Sequence, residues 1–308
     1  MRSMILTFGF ALLLPCAAQA GLVCRADIAS LDFGVISVRD GVVLQTSGPV
    51  AISCSGGTAG AVVQSCVSLG AGSGGAAAGQ SPRSLAGQGL APLSYQLTGQ
   101  NSFSNGGEVW QMRSYPLTLD ANGAALITPM LYGEITAIGA EAVVGLYTSS
   151  FDAGLGATMA YGEVSCTQTG VASSFSVRAE LTSSCSVSVT AMDFGLISRQ
   201  ITAPIDQSAQ ITVSCTNAAP YTVGLGFGLH AVDAGPSGRR MLSGSDLLAY
   251  GVYHDAGRSL DWGTSPASQT AGTGSGSAQV LTVFGRIFSP QTPATGSYSD
   301  QIVVTVTY

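Results

Sequence analysis

Asp32-Phe33-Gly34-Val35-Ile36-Ser37 recurs as Asp193-Phe194-Gly195-Leu196-Ile197-Ser198, 161 residues further on. The same offset relates Cys24 to Cys185 and Cys54 to Cys215, so three landmarks share one register. A fixed offset of this kind is the mark of a duplicated structural unit. Further matches follow in order. Leu93-Ser94-Tyr95 corresponds to Leu248-Ala249-Tyr250, and Trp110 to Trp262. Leu131-Tyr132-Gly133-Glu134-Ile135 corresponds to Val283-Phe284-Gly285-Arg286-Ile287, and Gly145-Leu146-Tyr147 to Gly296-Ser297-Tyr298. The offset drifts to 151 as loops gain and lose residues.

Outward from the repeat, the pattern is β throughout. Phe175, Val177, Ala179 and Leu181 alternate with Ser176, Arg178 and Glu180, the period of a half-buried strand. Pro49–Cys54, Gln210–Cys215 and Gln301–Tyr308 also read as strands, the last from its Val and Thr content. Glycine-rich stretches at 70–80 and 271–277 read as loops. No amphipathic helix stands out, and many short strands between turns predict sandwiches.

Residues 1–20 have the form of a secretory signal: Arg2, an apolar run from Met4 to Leu14, and Ala18-Gln19-Ala20 before the cleavage point. Pro15 ahead of Cys16 argues against a lipoprotein anchor. The mature chain is expected to start at Gly21, with no further membrane-spanning run. It then carries six cysteines, Cys24, Cys54, Cys66, Cys166, Cys185 and Cys215, an even count suited to disulfides in an exported chain. Six cysteines allow fifteen pairings. The repeated spacing of thirty residues makes Cys24–Cys54 and Cys185–Cys215 the economical choice, leaving Cys66–Cys166.

The chain contains no lysine, and without Arg2 ten arginines face seventeen acidic residues. Such a chain is a poor ligand for nucleic acid or anionic membrane. Only 9% of residues are charged. That fits either a surface largely covered in an assembly or a β protein rich in Ala, Gly and Ser.

These landmarks resemble a known family. The early cysteine, Asp193-Phe194-Gly195, Cys215, Leu248-Ala249-Tyr250, Trp262-Gly263, Phe284-Gly285 and the ending from Gly296 to Tyr308 are similar to a spore coat protein U domain, the pilin-type fold of archaic chaperone–usher pili. The likeness is close over 183–308 and looser over 22–182. It implies an all-β protein of two tandem immunoglobulin-like β-sandwich domains, 22–182 and 183–308, the second lacking its final strand. It further implies a periplasmic pilus chaperone, an outer-membrane usher and an adjacent pilin subunit donating a strand as partners. The first domain would meet an abiotic or host surface. No cofactor, nucleic acid or catalysis is expected.

The residues lead to the same incompleteness. The second copy ends at Tyr308, whereas the first continues past Tyr147 through Cys166 to the strand Phe175–Leu181. The other reading is that the second domain simply has one strand fewer. Ile302, Val304, Val306 and Tyr308 are therefore expected along the edge of a strand-accepting groove. By resemblance, the terminal carboxylate would register the chaperone. Only Gly21-Leu22-Val23 precede Cys24 after the expected cleavage, too short for a donor arm, which places the chain at a fibre tip. A non-polymerising surface or spore-coat protein is the alternative.

Other chemistry finds little support. Asp-Phe-Gly occurs without the lysine and catalytic loop of a kinase. The glycines at 70–79 lack a Gly-Lys-Ser/Thr sequence. His254-Asp255 has no nucleophile elbow to serve. The only other histidine is His230, and both read as surface residues. Glu134 and Glu141 read as solvated loop carboxylates. Trp110 with Trp262, and Tyr95 with Tyr250, read as shared structural residues. Adhesive residues are expected where the copies differ, with Phe103, Val109, Leu126, Ile127, Met130 and Ile138 as candidates; the alternative is that several of these belong to core strands.

Overall fold

Alternating apolar and polar side chains make a strand bury one face only, so two such faces must stack. A computed structural model of the chain describes residues 21–37, 43–77, 81–101, 108–135, 138–233 and 238–308; the expected signal segment lies outside these. The first unit contains β1 (Val23–Ile28), β2 (Leu31–Ser37), β3 (Leu44–Ser55), β4 (Val62–Leu69), β5 (Arg83–Leu85), β6 (Leu93–Thr98), β7 (Met112–Thr118), β8 (Ala125–Ile127), β9 (Met130–Ile135), β10 (Gly145–Phe151), β11 (Ala157–Gly162), β12 (Gln168–Thr169), β13 (Val171–Ala172) and β14 (Phe175–Thr182). The second contains β15 (Cys185–Val189), β16 (Ile205–Cys215), β17 (Pro220–Leu225), β18 (Arg240–Ser243), β19 (Asp246–Tyr253), β20 (Thr270–Thr273), β21 (Ala278–Ile287) and β22 (Val304–Thr307). The protein is all-β, with no helical element among the described residues.

The duplication is visible strand by strand. In the first unit β13-β1-β3-β9-β6-β5 form one sheet, with β8 also on β3, and β12-β11-β4-β7 form another. In the second unit β15-β16-β21-β19-β18 and β20-β17-β22 repeat these pairings. Each unit has its own apolar core, one running from Cys24 to Leu181 and the other from Ile201 to Ile287. The disulfides Cys24–Cys54 and Cys185–Cys215 join residues directly opposite each other on β1–β3 and β15–β16, with Cα atoms 4.1 Å apart in both. Cys66–Cys166 ties β4 to the segment after β11 and closes the longest loop, with a sequence separation of 100.

One sheet has no counterpart among the described residues. In the first unit β10-β14-β2 form a third sheet, with β14 antiparallel to β10 and parallel to β2. The segments matching β2 and β10 in the second unit, 192–198 and 296–302, form no strand. Two sequence expectations are corrected here. The terminal strand is Val304–Thr307 rather than Gln301–Tyr308, and part of the expected 271–277 loop lies in β20.

The missing strand leaves a measurable difference between matching residues. Ile36 is 5% exposed beside β14, while Ile197 is only half-buried. Ile36→Ala is therefore expected to destabilise the first unit by about 2–5 kcal/mol, the usual range for a core Ile. Ile197→Ala is expected to cost clearly less, and denaturant melts of the two variants check this.

Candidate functional site

The site is best built from the place where it is filled. Register sets Val177 of β14 opposite Leu31, and Leu181 opposite Ile36, on the β2 side. On the β10 side it sets Phe175 opposite Phe151, Val177 opposite Ser149, Ala179 opposite Tyr147 and Leu181 opposite Gly145. Phe175, Val177, Ala179 and Leu181 are all buried. Phe175 stacks on Phe151 with ring centroids 4.4 Å apart. Ala179 must be small because the fully buried ring of Tyr147 lies opposite it. That ring is fixed from below: the Tyr147 hydroxyl donates to the Val143 carbonyl at 2.8 Å.

The outward face of β14 carries one directed contact. Arg178 Nη2 donates to Asp32 Oδ2 at 2.6 Å, while Asp32 Oδ1 accepts the Gly34 amide at 2.9 Å. Gly34 has φ of 74°, a left-handed conformation that favours glycine, and the β2–β14 register shifts at this point. The Asp-Phe-Gly motif is thus a strand bulge whose aspartate caps its own turn. The Arg178 hydrogen bond, followed by the Gly34 amide, holds the Asp32 carboxyl below the usual carboxylate range.

The same apparatus stands in the second unit without the strand. Asp193 Oδ1 accepts the Gly195 amide at 2.8 Å, and Gly195 has φ of 73°. The Tyr298 hydroxyl donates to the Ala294 carbonyl at 3.0 Å, as Tyr147 does to Val143. Between these flanks run two adjoining cavities of about 360 and 460 Å³ that share Met192, Phe194, Met241 and Tyr298. Ile211, Val252 and Val283 lie at the floor of one of them. No backbone ladder joins the two flanks among the described residues. A trough with Met, Phe, Ile and Val side chains in its lining, bordered by two segments that no strand joins, is the shape that an added strand completes.

Ile302 and Val304 line this groove. Val306 and Tyr308 do not, which corrects the expected edge. After Val303 the chain passes to the other sheet, where Val306 pairs with Val223 and Tyr308 lies beside Val144, Asn217 and Pro220 at the junction with the first unit. Among the adhesive candidates, Phe103 lies outside the described residues. Leu126 is 65% exposed on β8 beside Ser53. Ile127 and Met130 belong to β8 and β9 rather than to a loop, and Ile127 packs on the core. Val109 bridges Thr98, and Ile138 packs on the core and lines the junction with the second unit.

Glu134 is no loop carboxylate: it lies on β9, is 5% exposed and accepts from Gln45 Nε2 at 3.0 Å. His254 stacks on Trp262 at 4.9 Å and meets Thr270 and the Asp261 carbonyl. Asp255 instead accepts the Ser259 and Leu260 amides, so the two side chains form no dyad.

A pair of buried arginines is not evident from the sequence pattern. Arg83 donates to the Gly70, Leu69 and Trp110 carbonyls and to Gln96 Oε1. Arg239 makes the matching bonds to the Gly226, Leu225 and Trp262 carbonyls. The tryptophans complete the set, Trp110 Nε1 donating to the Val67 carbonyl and Trp262 Nε1 to that of Val223. Burial pulls Arg83 down to about 10 and lowers Arg239 as well. A faint signal exists, because Arg83 and Arg239 share the 156-residue offset of Val67 and Val223.

A profile of the Spore Coat Protein U domain matches residues 10–153 and again 171–305. The chain belongs to the Spore Coat Protein U domain family. Both matches begin fourteen residues ahead of the unit's first cysteine, so in the second copy the family domain includes β13 and β14. Protein U of Myxococcus xanthus is 27% identical over 106 residues, which cover 33% of this chain and 59% of Protein U. In fold, the chain is similar to a chain in the crystal structure of the CsuC–CsuE chaperone–tip adhesion subunit pre-assembly complex of archaic chaperone–usher Csu pili of Acinetobacter baumannii. That likeness has a TM-score of 0.51 at 14% identity and covers 92% of this chain and all of that one. The CupB6 tip adhesin of Pseudomonas aeruginosa aligns over 92% of this chain and 94% of its own, at 14% identity and a TM-score of 0.37.

Two expectations follow from this geometry. Arg83→Leu leaves the Leu69, Gly70 and Trp110 carbonyls without their donor and is expected to cost about 3 kcal/mol or more in a denaturant melt. The Asp32–Arg178 pair should show in pH dependence. Because the folded carboxyl titrates below its unfolded value of about 3.9, its contribution is present above that pH and is lost as pH falls through the folded value. Arg178→Gln is expected to flatten the acid limb of a stability–pH profile.

Proposed function

We propose that the protein is a tip subunit of an archaic chaperone–usher pilus, joined to its fibre by a strand that another subunit inserts into the second unit. The observation that carries this reading is the contrast between the two grooves. In the first unit the chain fills the groove with β14; in the second, the same flanking residues border an open trough. Support also comes from family membership and from the fold shared with a structure titled as a chaperone–tip adhesion subunit complex. Three disulfides suit assembly in an oxidising compartment outside the inner membrane.

The orientation of β14 sets the geometry of joining. An inserted strand would run parallel to Met192–Ser198 and antiparallel to Tyr298–Ile302, and would leave beside Ile197 and Gly296. A periplasmic chaperone would hold the groove before the neighbouring pilin replaces it at the usher. On this reading β14 is by descent the leading strand of the second family domain, placed within the first. The first unit then presents the adhesive surface to an abiotic or host substrate, with Leu126 among its exposed apolar side chains.

The test is periplasmic co-expression of the full chain with an archaic-system chaperone, followed by addition of a pilin-type strand peptide. A stable chaperone complex, and a rise in the melting temperature of the second unit with peptide, are expected. Ile302→Asp should weaken both. A second unit that melts at the same temperature with and without either partner would point to a non-polymerising surface protein.

A further inference from the structure

The filled groove also describes the missing partner. Resting on the strand-acceptor reading above, we infer that the strand entering the second unit carries an outward-facing basic residue that pairs with Asp193. The first unit supplies the template. Asp32 uses Oδ1 to cap Gly34 and leaves Oδ2 for Arg178, four residues before the end of β14. Asp193 repeats the cap on Gly195, in the same backbone conformation. It is exposed and has no cationic partner among the described residues, although Asp32, Asp206 and other acids on the same kind of surface do. Its side chain thus lines the cavity with Oδ1 committed to the Gly195 amide, as Oδ1 of Asp32 is to Gly34, while Oδ2 of Asp32 is the atom that meets Arg178.

The remaining charged group on the opposite flank does not compete for that residue. Asp300, in the place of Ser149, accepts the Tyr250 hydroxyl through Oδ2 and the Leu229 and Gln301 amides through Oδ1. Both of its oxygens are committed within the unit, and it faces inward as Ser149 does. The partner strand is therefore defined by chemistry. Apolar residues recur at every second position, with a small one over the Tyr298 ring, as Ala179 lies over Tyr147. The residue before that small one is arginine or lysine and faces solvent beside Asp193. An exposed pair of this kind adds modest affinity but selects among strands and speeds encounter at low salt.

The test uses the full chain with a synthetic peptide copying Ala172–Ser183, and a second peptide in which the arginine is replaced by glutamate. Each is present during refolding, and affinity is read at low and high salt. The arginine peptide is expected to bind the native chain about three- to tenfold more tightly than the glutamate peptide, with the gap closing as salt rises. Asp193→Lys should reverse the preference. Asp193→Asn keeps the acceptor for the Gly195 amide and should abolish the preference without loss of folding. Equal binding of both peptides to all three chains would overturn the pairing and leave the groove intact. Failure of either peptide to bind or to raise the melting temperature would overturn the groove reading, and the pairing with it.

Discussion

The structure depends on one strand laid between two edges. With β14 in place, the backbone of β2 and of β10 is paired and Leu31, Ile36, Tyr147 and Phe151 are sealed from water. Neither gain is available to a sandwich that stops short of this strand, because unpaired backbone groups and apolar side chains both favour covering. The second unit stands in that condition. It keeps Met192, Phe194, Ile197, Tyr298 and Ile302 in the matching places, and all of them are only partly buried.

An open unit must hold its shape by means that do not need the missing strand. Three such devices occur at the same positions in both copies. A disulfide locks the first strand to its neighbour, with Cα atoms at 4.1 Å. A tyrosine hydroxyl reaches back to the carbonyl four residues earlier. A buried arginine gathers carbonyls from separate segments and joins them beside a buried tryptophan. Guanidinium suits this task because its fork of donors can satisfy several acceptors at once. The disulfide and the buried arginine are absent from the lining of the groove, whereas the tyrosine ring forms part of its wall and is fixed by its own hydrogen bond.

The copies have also diverged where their strands differ. Ser149 is fully buried under Val177, a place where an ionised group would be costly. The second unit has Asp300 there, hydrogen-bonded to Tyr250, and burial together with that carboxylate pushes the Tyr250 phenol well above its ordinary range. The second groove is therefore a variant of the first rather than a duplicate. Its Asp-Phe-Gly aspartate is shared with the first unit, and the Asp300 flank is its own.

Much of the fold is legible in the order of the residues. The 161-residue repeat, the alternation of Phe175 to Leu181 and the spacing of the cysteines are local or periodic features. They record which faces must be buried and where the chain repeats itself. Other features cannot be read that way. Alternation marks the buried face of Phe175–Leu181 but does not name its neighbours, so the parallel contact with β2 leaves no trace in it. Val304, Val306 and Tyr308 continue the alternation of Ile302, yet after Val303 the chain runs along β17 in another sheet, and of these residues only Ile302 and Val304 line the groove. Glu134 looks like a loop residue because nothing nearby in the chain reveals that it lies on β9 opposite Gln45. Residue order therefore suffices for a duplicated, disulfide-tied β protein whose copies differ by one strand. Which edges that strand joins, and which side chains face it, emerge only in three dimensions, because strand pairing is set by backbone contacts between segments far apart in the chain.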